Sequence, residues 1–265
     1  MSLSQVAGVI AQPLRVVITG ASSGIGAALA RHYAAVGANL GLIARRKDAL
    51  ERIAAALPTP REIYPLDVRD AGAMAEAARH FIDRHGCPDV VICSAGVSVG
   101  TLAACADDIA VFQEVLDINV MGTMKTLQPF IGCMRSRGSG SLVGIASVAG
   151  YRGLPGAAAY SGSKAALISC LESLRVELRG SGVKVITICP GYIATPMTEH
   201  NPYPMPFLMN ADKAAGKIAR LIARGREFAV IPWQMAVIAR LMRLLPDWLY
   251  DRLAARGARK PRRGD

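Results

Sequence analysis

Residues Arg15-Val16-Val17-Ile18-Thr19-Gly20-Ala21-Ser22-Ser23-Gly24-Ile25-Gly26 decide how the rest of the chain is read. The first five make a short β-branched run of the kind that forms a buried strand. Glycines follow at 20, 24 and 26, and an alanine-rich helical pattern continues from Ala27 to about Ala35. Glycine at a strand-to-helix turn lets the backbone approach a pyrophosphate, while the helix start offers N–H groups and the positive end of its dipole. The spacing is G-x-x-x-G-x-G rather than G-x-G-x-x-G. Outward from this turn, short β-branched runs alternate with longer helical ones. Strands are predicted over residues 15–19, 39–44, 62–66, 90–93, 141–145, 184–188 and 228–231, with the longest helices over 109–137 and 157–179. That alternation predicts an α/β fold, a single doubly wound parallel sheet of about seven strands with helices on both faces. A chain of 265 residues, 52% of them apolar, suffices for one such core. The catalytic unit is read as 1–232, followed over 233–265 by an apolar helix and a basic tail.

A second constellation carries chemistry. Tyr160-Ser161-Gly162-Ser163-Lys164 places a phenol and an ammonium four residues apart, on one helix face and within reach of one bound molecule. The ammonium favours the phenolate and so assists proton exchange near neutral pH. Ser147, thirteen residues before the tyrosine, could hold a carbonyl or alcohol oxygen beside it.

Together these motifs resemble the short-chain dehydrogenase/reductase family in its single-domain form, over about residues 15–231. Thr19-Gly20 with Gly24, Ile25 and Gly26 matches the family's cofactor turn, which also includes Ser22 and Ser23. Asn119, Ser147, Tyr160 and Lys164 match its four-residue active site in order. Pro190-Gly191, Ile193 and Thr195 match the segment at the nicotinamide, and Asp67-Val68 the pair at the adenine. Cys93-Ser94-Ala95-Gly96 stands where the family usually has Asn-Asn-Ala-Gly, a departure that puts side-chain contacts there in question. The resemblance implies hydride transfer between a nicotinamide cofactor and a small-molecule carbonyl or alcohol. It implies that Tyr160 exchanges the proton, and that Lys164 favours the phenolate and holds the nicotinamide ribose. Ser147 would hold the substrate oxygen, and Asn119 would anchor a water linking Lys164 to solvent. It also implies a homodimer or homotetramer through the helices at 109–137 and 157–179.

Cofactor type follows from the end of the second strand. An acidic residue there would bond the adenine ribose and repel a 2′-phosphate. Ala44 occupies that place instead, and Arg45 and Arg46 follow. Guanidinium groups match phosphate geometry, so NADP(H) is expected over NAD(H). The segment 196–210 should cover the substrate: Tyr203, Met205, Phe207, Leu208 and Met209 make it apolar, while Pro202, Pro204 and Pro206 restrict it. A lipophilic substrate fits such a lid, as would plain packing against the body.

The net charge of +11 raises the question of nucleic acid. From residue 233 onward there are eight basic and three acidic residues, nearly half the excess in one-eighth of the chain. No basic surface interleaved with aromatics appears elsewhere, so no nucleic-acid partner is expected. Cys87, Cys93, Cys105, Cys133, Cys170 and Cys189 lack C-x-x-C spacing and are read as reduced, mostly buried thiols, with no metal. Residues 1–12 lack the basic flank of a signal peptide, so the cytoplasm is expected. In 233–245 an apolar face surrounds Arg240 and Arg243, and Trp248 and Tyr250 follow Pro246. This segment either lies on an anionic inner-membrane face, with the basic stretch at 252–263 drawn to headgroups, or packs on the body or a second subunit. Apart from the oxidoreductase, two readings stay open: a catalytically silent nucleotide-binding regulator, and a membrane-surface scaffold.

Overall fold

The computed structural model describes residues 12–199, 201–255 and 259–262. In chain order the elements are β1 (Arg15–Thr19), α1 (Gly24–Ala35), β2 (Asn39–Ala44), α2 (Lys47–Ala55), β3 (Arg61–Pro65), α3 (Ala71–His85) and β4 (Val90–Cys93). Then come α4 (Asp108–Leu116), a π turn (Asp117–Met121), α5 (Gly122–Arg137), β5 (Gly140–Ile145), a 3₁₀ turn (Val148–Gly150), α6 (Ala158–Glu177) and β6 (Val183–Pro190). The chain continues through β7 (Ile193–Ala194), β8 (Met209–Asn210), α7 (Ala211–Ala223), β9 (Phe228–Ile231), α8 (Trp233–Leu244) and α9 (Asp247–Ala254).

Seven strands form one parallel sheet in the order β3-β2-β1-β4-β5-β6-β9, each in register with its neighbour. Alternate residues of each strand feed opposite cores, as the two-residue period of a strand requires. Val16, Ile18, Leu40 and Leu42 pack under α1, α2 and α7, whereas Val17, Ile43, Val91 and Leu142 pack under α3, α5 and α6. The chain moves outward from β1 through β2 to β3, then returns to place β4 on the other side of β1. A crevice therefore opens beyond the C-terminal ends of β1 and β4, the switch point at which such sheets bind ligands.

The seven predicted strands are all present, with ends shifted by no more than two residues. The helix expected over 109–137 spans 108–137, but through five residues of π turn that include Asn119. The short β7–β8 pair, joining the two ends of the predicted lid, was not legible as strand. One expectation is corrected. Cys87 and Cys133 form a disulfide, with their Cα atoms 5.8 Å apart, while Cys93, Cys105, Cys170 and Cys189 are free. The bonded pair lies 46 residues apart in sequence and meets because α5 packs on α3, which no local spacing encodes. The expectation for residues 1–12 falls almost entirely outside the described residues, as do His200 of the lid and residues 256–258 and 263–265 of the tail.

Candidate active site

The crevice is a cleft of about 290 Å³ running from the end of β2 to the first turns of α6. One wall is the turn between β1 and α1. Gly20 and Gly24 have φ of +67° and +55°, which disfavours a side chain. A Cβ on Gly20 would stand 2.8 Å from the Ala95 nitrogen, so glycine lets the two loops touch. Thr19 strengthens the join, its Oγ1 accepting from the Ala95 N–H at 3.2 Å. Ser23 caps α1 with extended backbone and no side-chain hydrogen bond. The first amides of α1 thus remain available to an anion, and Gly24 and Ile25 line the cleft. The turn fits the diphosphate of a dinucleotide.

Ser147, Tyr160 and Lys164 meet at the far end of the same cleft. Ser147 follows β5 and caps the 3₁₀ turn, its Oγ accepting from the Ala149 N–H at 3.1 Å. Burial raises the Tyr160 phenol above its ordinary value, and its hydrogen bond with Ser147 offsets only part of the shift. Lys164 Nζ lies 5.8 Å from the centre of the Tyr160 ring and donates to the Ile145 carbonyl at 2.8 Å. Burial lowers the Lys164 ammonium to about 8. The expected depression of the phenol by Lys164 is therefore not found: the cost of removing a phenolate from water dominates, and only the Ser147 hydrogen bond opposes it.

Asn119 stands behind these residues in the π turn, fully buried. Its Oδ1 accepts from the Val97 N–H at 2.8 Å. Its Nδ2 donates to the Val97 carbonyl at 3.0 Å and to Ser163 Oγ at 2.9 Å. Ser163 in turn donates to the Tyr160 carbonyl at 2.7 Å. Both Nδ2 protons are thus engaged, and the second lone pair of Oδ1 is its open position. Gly96 approaches closely there: a Cβ on it would lie 3.1 Å from Asn119 Oδ1, a tight contact, and 3.7 Å from Lys164 Nζ.

At the opposite end Ala44, Arg45, Arg46, Asp67 and Val68 line the cleft, and both arginines are exposed. Burial would raise the Asp67 carboxyl, but hydrogen bonds from Arg69 and the charges of Arg69 and Arg45 hold it below the usual range. Arg69 Nη2 is 2.8 Å from Asp67, and Arg45 Nη1 is 3.7 Å away, a looser pairing that leaves its guanidinium largely in solvent.

Of the remaining predicted residues, Ser22, Ser94, Ala95, Gly96, Pro190, Gly191, Ile193 and Thr195 line the cleft. Gly26, Cys93 and Asn119 do not. Gly26 packs under the turn, where a Cβ would strike the Gly20 carbonyl. Cys93 points into the core beside Thr123, and burial pushes its thiol well up. Val97, Ile118, Ile145, Ala146 and Thr198 were missed. Thr198 carried a faint signal, as a hydroxyl three residues after Thr195; it bonds the Thr195 N–H and the Ile193 carbonyl and so shapes that segment. On either side of it the lid exposes Met197, Phe207 and Leu208. Among the described residues, no group of His, Cys, Asp and Glu could hold a metal ion, and no helix is long and apolar enough to cross a membrane.

Comparison with known proteins accords with this arrangement. The family model for short chain dehydrogenase matches residues 15–204. An uncharacterized oxidoreductase of Myxococcus xanthus is 40% identical over 91% of this chain and 96% of its own length. A 2-dehydro-3-deoxy-L-rhamnonate dehydrogenase (NAD(+)) of a Sphingomonas species is 35% identical over 70% of this chain and 74% of its own. A crystal structure of a short-chain dehydrogenase from Streptomyces avermitilis superposes with a TM-score of 0.76 at 28% identity, covering 86% of this chain and 92% of that one. With a glycine turn, a sheet switch point and a Ser–Tyr–Lys cluster sharing one cleft, the chain belongs to the short-chain dehydrogenase family, whose members are NAD(P)-dependent oxidoreductases.

Proposed function

We propose that this protein reduces a carbonyl of a lipophilic substrate, or oxidises the matching secondary alcohol, with NADP(H). The observation that carries the reading is one cleft with Ser147, Tyr160 and Lys164 at one end and Arg45 and Arg46, with no acidic residue beside them on β2, at the other. When bound, the nicotinamide cofactor supplies or accepts the hydride. Ser147 and Tyr160 hold the substrate oxygen. On reduction Tyr160 donates its phenolic proton to that oxygen, and on oxidation it takes the proton back. A phenol raised by burial is held in the donating form, and the Lys164 ammonium in the same cleft is the cation nearest to hand for the phenolate left behind. The Tyr160 phenolate regains its proton from solvent through a relay in which Lys164 passes a proton on and is reprotonated in turn, with Asn119 Oδ1 anchoring a water of that relay. Arg45 and Arg46 grip the 2′-phosphate, and the relative named for NAD(+) marks the alternative. Met197, exposed and lining the cleft, favours an apolar substrate. Incubation with NADPH or NADH and ketones graded from small and polar to aromatic and sterol-like tests this. Turnover of none of them would sink it.

Two associations extend the proposal. Exposed Ile109, Leu116 and Met121 along α4 and the π turn, with exposed Ala158, Gly162 and Ala165 on α6, favour self-association through these helices. Light scattering that shows only a 28.0 kDa species would oppose it. Trp233, Val237, Leu241 and Leu244 form one exposed stripe on α8, with Trp248 following on α9 and Arg240, Arg243 and Arg252 alongside. This stripe favours contact with an anionic lipid surface.

A further inference from the structure

The basic tail is docked on the body. Gly100 and Arg262 form a parallel bridge, and the Gly100 N–H donates to the Pro261 carbonyl at 3.0 Å. Lys260 Nζ donates to Ser98 Oγ at 2.8 Å. Arg262 reaches Asp108 with two prongs, Nε to Oδ2 at 2.9 Å and Nη2 to Oδ1 at 3.1 Å. The Asp108 side chain is only 5% exposed and also accepts from the Leu102 N–H at 2.7 Å. A bidentate pair on a buried carboxylate fixes direction as well as distance. Gly100 is a close-approach position, since a Cβ there would stand against the carbonyl oxygens of Lys260 and Pro261. Residues 259–262 thus lie as a strap along residues 98–102, and none of the elements so far assigned to the reaction needs them.

What the strap holds is next to the reacting groups. Val97 stands at the start of the strapped loop and clamps Asn119 with its N–H donating to Oδ1 and its carbonyl accepting from Nδ2. At the other end Thr101, 1% exposed, donates its N–H to the Gly156 carbonyl at 2.9 Å. Its Oγ1 accepts from the Ala159 N–H at 3.2 Å. The cap residue of α6 is Ala157, which cannot bond a first-turn amide, so Thr101 performs that service from a distant segment. Arg259 covers Gly156 from outside, leaving a Cβ there only 2.9 Å from its own. Helix α6 carries Tyr160, Ser163 and Lys164 in its first two turns.

We propose that the strap positions the active site: by fixing residues 97–102, Arg262, Asp108 and Lys260 hold Asn119 through Val97 and the start of α6 through Thr101. They are positioning residues and touch no reacting atom. The kinetic consequence rests on the oxidoreductase reading, whereas the structural consequence does not.

The test uses the full chain, a deletion of residues 259–265, Gly100→Ala, the two combined, Arg262→Ala and Arg262→Lys. Amide hydrogen exchange without added cofactor should show protection at 97–102 and 156–161 falling at least about tenfold in the deletion, with β1, β2 and β3 unchanged. With phenanthrenequinone as probe carbonyl, kcat should fall about tenfold or more while the NADPH Kd from fluorescence stays within about twofold. Arg262→Ala should follow the deletion, and Arg262→Lys should regain part of the loss. Gly100→Ala should act like the deletion by itself and add less than about twofold to it, as two changes to one contact do. Exchange within about twofold of the full chain in the deletion would overturn the proposal, whatever the enzyme reduces. So would lost protection with unchanged kcat, or additive effects of Gly100→Ala and the deletion. If the intact chain reduces no carbonyl, the oxidoreductase reading fails while the exchange result still decides the strap.

Discussion

Replacing Lys164 by methionine should make stability less dependent on pH, and the size of the effect follows from the site. Burial holds the Lys164 ammonium at about 8, against an ordinary 10.5 for the unfolded chain. Below pH 8 both states carry the proton, and the folded state bears the full cost of a buried charge. Between pH 8 and 10.5 the unfolded state binds more protons, so unfolding free energy rises with pH through that window. At about 1.4 kcal/mol per pH unit the cost is about 3 kcal/mol at pH 7 and roughly 1 kcal/mol at pH 10. Lys164→Met removes this term. It also removes the hydrogen bond to the Ile145 carbonyl, but that loss hardly varies with pH and only offsets the whole curve. Guanidinium unfolding of both proteins at half-unit steps from pH 7 to 10 measures the difference, in which all other titrating groups cancel. The wild-type protein should gain about 2 kcal/mol on Lys164→Met across that range. Parallel curves, agreeing within about 0.5 kcal/mol, would refute a depressed Lys164 and with it the account of a charge kept at the site at a cost in stability.

Tyr160→Phe should reduce turnover by about 10² or more while leaving NADPH binding near the wild-type value, because only the hydroxyl moves the proton; kinetics beside fluorescence titration check it. Arg45→Ala/Arg46→Ala should raise the KM for NADPH at least about tenfold relative to that for NADH, given charge-assisted contacts of about 1.5–3 kcal/mol each. An equal effect on both cofactors would leave the arginines as helix-start residues alone. In flotation with anionic vesicles at low salt the protein should rise with the lipid, and Leu241→Glu/Leu244→Glu should abolish this. Failure to float, or flotation unaffected by the substitutions, would remove the lipid contact.

The recurring apolar runs and the glycine turn were enough to read a doubly wound sheet, because strand and helix periods are local properties of the chain. Tyr160 and Lys164 were readable as a pair for a similar reason, since their spacing puts them on one helix face, whereas Asn119 came only from the resemblance to the family. The relation within that pair was not legible. Sequence spacing suggested an ammonium that lowers a phenol, whereas Lys164 is drawn to the Ile145 carbonyl and burial raises Tyr160. Desolvation depends on everything packed around a group, and no window of residues contains that information.

The same limit explains the tail and the disulfide. The sequence left the Arg-rich C-terminus open between a membrane face and the body of the protein, and only the folded chain shows Arg262 paired with a buried Asp108, 154 residues away in sequence. Cys87 and Cys133 read as separate thiols until α3 and α5 pack together. By itself the sequence determined the elements, their order and the residue types at the switch point of the sheet, since propensity and periodicity act over a few residues. Tertiary structure alone decided which charges are buried, which ends meet and what holds the start of α6, because those depend on distances closed only when the sheet and its helices assemble.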